Sequence, residues 1–213
     1  MAMSETFKMA TKSHDLYLSV SKGHFVTNHS HMNYYINITT QKSCLNEARA
    51  VAKALLPTYK MSTIVDTILC LDGTEVIATC LAYELTASDF ASINSGRDIN
   101  ILTPEHNAGS QLFFRDNTAP MINGKLVLIL AASVVTGFTA KSAMESVAYY
   151  GGKVMGISSI FATITECEGT PVTSVFNPKD LPGYESNLIH TCPMCKNNEP
   201  LNALVNSFGC SML

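Results

Sequence analysis

Three stretches of the chain are largely apolar at a length that suits strands: Thr63 to Leu71, Lys125 to Ala132 and Val154 to Ala162. Runs of this kind, with no alternating polar face, fit strands buried on both sides. Between them the spacing becomes helical. Leu45, Ala48, Ala52 and Leu55 share one face of residues 45–56, and Pro57 is expected to stop that helix. Glu75 to Leu85 and Thr139 to Tyr150 also read as helices, the second ended by Gly151-Gly152. Strands alternating with helices predict βαβ units and an α/β fold around a parallel sheet. Ile99 to Leu102 and Val172 to Phe176 are short strands, and residues 103–120 form a long polar loop. Residues 1–22 carry weak helical spacing. Phe25 to Ile38 reads as a hairpin around a polar tip, Asn28 to Asn33. Beyond about residue 183 the pattern changes, ending in a short helical segment, Leu201 to Phe208. The chain therefore divides into residues 1–182 and a tail, 183–213.

Composition narrows the function classes. Of 213 residues, 46% are hydrophobic and only 15% charged. That excludes a disordered chain and leads us to expect apolar surface hidden in a homodimer. The net charge of −3 carries no basic excess, so nucleic acid is not an expected partner. The longest apolar run, Leu126 to Ala132, falls far short of the roughly 20 residues of a membrane span. Glu5, Lys8, Lys12 and Asp15 interrupt the N-terminus, so no signal peptide is expected there and the expected location is the cytoplasm. An odd count of 7 cysteines, five of them scattered, fits reduced thiols.

In an open parallel sheet, ligands bind beyond the carboxyl ends of strands. Two such ends stand out. At Asp72-Gly73-Thr74-Glu75, a glycine at a strand-to-helix turn lets backbone N–H groups face an anion, though an ordinary turn would look the same. At Val135-Thr136-Gly137-Phe138-Thr139, two hydroxyls and a glycine precede a helix, which are the parts of a phosphate cradle. No Gly-Lys-Ser/Thr is present, so this is not a Walker loop.

The segment from Gly124 to Gly152, GKLVLILAASVVTGFTAKSAMESVAYYGG, resembles the signature of type I phosphoribosyltransferases that binds 5-phosphoribosyl-1-diphosphate (PRPP). The order of the other segments is most similar to orotate phosphoribosyltransferase. The resemblance implies a central parallel sheet flanked by helices, with a small hood built from the N-terminal hairpin and the C-terminal strand and tail. It implies that Val135, Thr136, Gly137, Phe138 and Thr139 hold a 5′-phosphate. Asp72, Gly73, Thr74 and Glu75 would line the pyrophosphate side, and loop 103–120 would be a lid carrying Glu105 and His106 as catalytic groups. The implied ligands are PRPP or a nucleoside monophosphate, a nucleobase, and Mg²⁺ accompanying PRPP. The implied activity is transfer of phosphoribose to a nucleobase; the alternative is a catalytically impaired relative that senses a nucleotide or phosphosugar. Two departures bear on that choice. Where the family carries two adjacent acids for the ribose hydroxyls, this chain has Ala131 and Ala132, and no lysine lies between Lys60 and Lys125.

The tail contains His190-Thr191-Cys192-Pro193-Met194-Cys195. A Cys-x-x-Cys knuckle is half of a zinc site, which His190, Cys210 or Cys167 would help complete; reduced structural thiols are the plainer reading. His24, His29 and His31 near the hairpin are a second candidate, with His29 and His31 on one strand face, against the plainer reading of solvated histidines.

Overall fold

The computed structural model describes residues 6–10, 16–88, 90–107, 111–206 and 209–213. The N-terminal third contains β1 (Thr6–Ala10), β2 (Tyr17–Val26), β3 (His31–Asn37), α1 (Thr39–Ser43) and α2 (Leu45–Lys60). The middle contains β4 (Thr67–Cys70), α3 (Glu75–Thr86), β5 (Asn100–Leu102), β6 (Glu105–His106), β7 (Leu112–Phe113), β8 (Leu126–Val134) and α4 (Phe138–Tyr149). The remainder contains β9 (Lys153–Ala162), β10 (Glu166–Cys167), β11 (Thr170–Phe176), β12 (Ser186–Asn187), α5 (Pro193–Lys196), β13 (Ala203–Asn206) and β14 (Gly209–Met212).

The main sheet has the order β10-β11-β9-β8-β4-β5, and all of its pairings are parallel except that of β10 with β11. Its central strands are buried on both faces, which explains their unbroken apolar runs. Ile68, Cys70, Leu128 and Leu130 pack with α2 and α3 on one side. Their neighbours Leu69, Val127 and Ile129 pack with Ala143 and Val147 of α4 on the other. After β4 the chain moves out to β5, then returns to the opposite flank of β4 as β8. The order therefore reverses between β4 and β8, where an open α/β sheet places its ligand crevice. The fold is α/β, as the alternation of elements predicts.

A second sheet, in the order β12-β3-β2-β13-β14 with β1 on β2, forms the hood. Here the chain differs from its sequence reading in three places. Tyr17–Val26 is a strand, not a weak helix, because Leu18 and Val20 alternate into the core. Ala203–Asn206 is likewise a strand, joined parallel to β2, although its local spacing suggested a helix. In α2, Pro57 lies inside the helix rather than after it. An internal proline costs about 3 kcal/mol. The buried residues Leu55 and Tyr59 on either side offset that cost at roughly 1.5–3 kcal/mol per large apolar side chain. Tyr59 is further fixed by a 2.6 Å hydrogen bond between its hydroxyl and Ser158 Oγ. None of the described helices is long and apolar enough to cross a membrane.

Candidate functional site

A cleft of about 560 Å³ opens at the carboxyl ends of β4 and β8, between the main sheet and the hood. Its floor is the segment from Ala132 to Ala140. β8 runs to Val134, so the loop that follows it is short, and Gly137 caps α4 with φ +79°. A side chain at Gly137 would be strained by that φ. Its Cβ would also meet Ile164 Cδ1 at 3.2 Å and Cys167 Sγ at 3.4 Å. No side chain caps α4, so the N–H groups of its first turn are left for a ligand. Thr136, Thr139 and also Ser133, which sequence reasoning passed over, are exposed on the cleft wall.

Across from this loop, the β4–α3 turn places two successive residues in the left-handed region, Asp72 at φ 59° and Gly73 at φ 79°. The turn brings the Asp72 side chain into the cleft, against the Ala132 N–H, which it accepts. Burial raises the Asp72 pKa, opposed by Lys42, by that N–H and by His106. Lys42, from α1, donates from Nζ to the Asp72 carbonyl at 2.7 Å. Burial lowers its pKa, opposed by Asp72 and Glu75. Both members of this pair move towards neutrality, so their shared desolvation outweighs their mutual attraction. Lys42 is a cation that the sequence reading missed; it lies 30 residues before the turn it serves, and only the fold joins them.

The other residues expected on the pyrophosphate side are less available. Thr74 is buried, and its hydroxyl donates to the carbonyls of Leu71 at 3.0 Å and Leu130 at 2.9 Å, tying β4 to β8. Glu75 accepts from the Thr103 hydroxyl at 2.8 Å and does not line the cleft. The expected lid pair separates as well. Glu105 and His106 are neighbours on β6 and so face opposite ways. His106 lines the cleft, whereas Glu105 is held by Arg115 through two hydrogen bonds of 2.8 and 2.7 Å, outside it. Glu105, expected beside His106 as a catalytic group, is thus not among the residues lining the described cleft.

The hood closes the cleft from above. The turn between β2 and β3 contributes Thr27 to Ser30, and the His29 ring lies 5.3 Å from that of Phe138 in the phosphate-type loop. Tyr34 and Tyr35, on opposite faces of β3, also border the cleft, with the buried Phe161 beneath.

No family model matches the sequence, and no characterised protein matches it at the sequence level. Solved structures do match. Orotate phosphoribosyltransferase of Mycobacterium tuberculosis superposes with a TM-score of 0.53 and 19% identity, over 78% of this chain and 93% of that one. The same enzyme solved with PRPP gives 0.51 and 19%, over 69% and 82%. Leishmania donovani UMP synthase gives 0.54 and 20%, over 76% of this chain and 34% of that one. The chain has the type I phosphoribosyltransferase fold.

Within that fold, Ala131 and Ala132 are buried at the end of β8, 2% and 3% exposed, and offer the cleft no acceptor beyond backbone. The tail of this phosphoribosyltransferase fold holds a second cluster. Cys192 and Cys195 meet His24 and His31, their four ligand atoms all within 4.8 Å of one another. His190, expected there, is exposed and outside the group; the half-buried Cys210 and the buried Cys167 also lie outside it. His29 does not share a strand face with His31, because the turn spans residues 27–30 and His29 lies within it.

Proposed function

We propose that this chain transfers phosphoribose from PRPP to a nucleobase, of the orotate type, with release of pyrophosphate. The observation that carries this reading is the convergence of the 135–139 loop, Asp72 and Lys42 in one cleft at the sheet's switch point. The loop's N–H groups and the positive end of α4 suit the 5′-phosphate. Lys42 suits the pyrophosphate, whose charge grows as its bond to ribose C1 breaks. His106 lines the same cleft, and its ring would donate a hydrogen bond or proton to that leaving group. The aromatic residues bordering the cleft suit a planar base, whose nitrogen forms the new bond to C1 and whose proton passes to solvent. Asp72 is the one carboxylate lining the described cleft. Mg²⁺ binds through one or two carboxylates plus substrate oxygens, so Asp72 fits an ion arriving with PRPP. Such an ion would supply charge neutralisation on the pyrophosphate.

Ala131 and Ala132 set the expected affinity for PRPP. Two ribose hydroxyls lose charged acceptors worth roughly 1.5–3 kcal/mol each, which predicts PRPP affinity about 10²–10⁴-fold below that of a site with both acids. The same departure supports a second reading, a phosphosugar-binding protein without turnover. Incubation with PRPP, Mg²⁺ and a panel of nucleobases, with product nucleotides read by mass spectrometry, separates the two. A nucleoside monophosphate formed from one base supports transfer. PRPP binding without product supports the binding protein.

A further inference from the structure

We infer that His24, His31, Cys192 and Cys195 form a structural zinc site that clasps the hood. Four ligand atoms from two distant parts of the chain converge here. His24 Nε2 lies 2.9 Å from His31 Nδ1, Cys195 Sγ lies 3.2 Å from His31 Nδ1, and the two sulfurs lie 3.6 and 3.7 Å from His24 Nε2. Zinc bonds of about 2.0–2.1 Å to nitrogen and 2.3 Å to sulfur give a tetrahedron whose edges run roughly 3.3–3.8 Å. The cluster needs only small side-chain adjustments to reach that figure.

The surroundings favour metal over a chance meeting of polar groups. His24, His31 and Cys192 are 2%, 5% and 1% exposed. His24 Nδ1 donates to the Glu199 carbonyl at 3.0 Å, which fixes its proton there and leaves the Nε2 lone pair aimed into the cluster. An outer hydrogen bond of this kind orients a metal-bound histidine. Cys192 and Cys195 bracket the first turn of α5, the knuckle geometry in which one short turn offers two sulfurs. A bulge in β2 between Lys22 and Phe25 re-aims the strand at His24, and bulges commonly serve to redirect a side chain.

The donor set selects the ion. Two thiolates and two imidazoles suit a borderline-soft, tetrahedral cation rather than Mg²⁺ or Ca²⁺, which take oxygen. Binding releases two thiol protons to solvent, and the two thiolates neutralise the dication. With four protein ligands the site has no open position for catalysis. Its consequence is mechanical. His24 and His31 flank the turn Thr27 to Ser30, which lines the cleft, while the cysteines anchor the tail that supplies β13 and β14. The ion would lock the hood's tip over the 135–139 loop.

The test is metal analysis of the full chain purified without chelator, joined to cobalt substitution. The expected result is about one zinc per chain, lost in Cys195→Ser and His31→Ala and retained in Cys210→Ser. Co²⁺ added to chelator-treated wild-type protein is expected to give thiolate-to-cobalt charge transfer and the intense visible bands of a tetrahedral site. Cys195 lies on the exposed knuckle, so its serine variant perturbs packing least. Zinc below about a tenth of an equivalent together with a cobalt spectrum free of thiolate bands would overturn the assignment. Zinc retained in both ligand variants would overturn it as well.

Discussion

Lys42 Nζ donates to the backbone carbonyl of Asp72 at 2.7 Å, so the cation carried by α1 braces the turn that carries the cleft's carboxylate. α1 is a single short helix between β3 and α2 with no buried apolar residue of its own. Replacing Lys42 by Met keeps the stem and removes the charge. PRPP affinity is expected to fall about 10- to 100-fold, the worth of a hydrogen bond to a charged group. Ribose 5-phosphate, which lacks the pyrophosphate, should bind within about twofold of wild type. Calorimetry with both ligands checks the difference.

Asp72 is held at a cost. Burial raises its pKa above the ordinary 3.8, so the folded state keeps a proton that the unfolded state has already lost. Below 3.8 both states are protonated and nothing is lost; as pH rises through the raised value, stability falls. Asp72→Asn should therefore melt higher than wild type at pH 7, with the gap closing in acid. Asparagine also tolerates the left-handed backbone at this position. The same variant should bind Mg²⁺–PRPP less well. Thermal melts of both proteins across pH measure the first effect and calorimetry the second.

Glu105 and His106 are adjacent and should behave differently. Glu105 is engaged by Arg115 outside the cleft, and exposed ion pairs contribute little, so Glu105→Gln should leave turnover within about twofold. His106 lines the cleft, and His106→Ala should lower turnover by about 10²-fold. Steady-state nucleotide formation by the two variants decides this.

Zinc removal should act through the hood. Chelator treatment of the full chain is expected to lower its melting temperature and to weaken nucleotide binding, because the turn between His24 and His31 lines the cleft. Restoring Zn²⁺ should reverse both.

The main sheet was legible because its strands are buried on both faces and leave long apolar runs. The phosphate-type loop was legible because glycine, hydroxyls and a helix start fall within five residues. The hood was not. Its strands pair across most of the chain, β2 with β13, so no local window contains the partner that makes Ala203–Asn206 a strand. Lys42, and the meeting of His24 and His31 with Cys192 and Cys195, were missed for the same reason: each is joined to its site by topology, not spacing. The histidine pairing also turned on where the hairpin bends. A turn at 27–30 sets His24 against His31, whereas the i, i+2 spacing puts His29 and His31 on one strand face.

The account rests on the loop from Val135 to Thr139 as the seat of a phosphate monoester. Ribose 5-phosphate titrated calorimetrically into wild type, Thr136→Val and Gly137→Val tests that directly. Gly137→Val combines a forbidding φ of +79° with a Cβ placed 3.2 Å from Ile164, so it should reduce affinity more than tenfold, by roughly the 1–2 kcal/mol or more of a strained left-handed residue. Thr136→Val removes one hydroxyl and should reduce it by about threefold to tenfold. Binding unchanged in both variants would contradict the account and place the phosphate elsewhere.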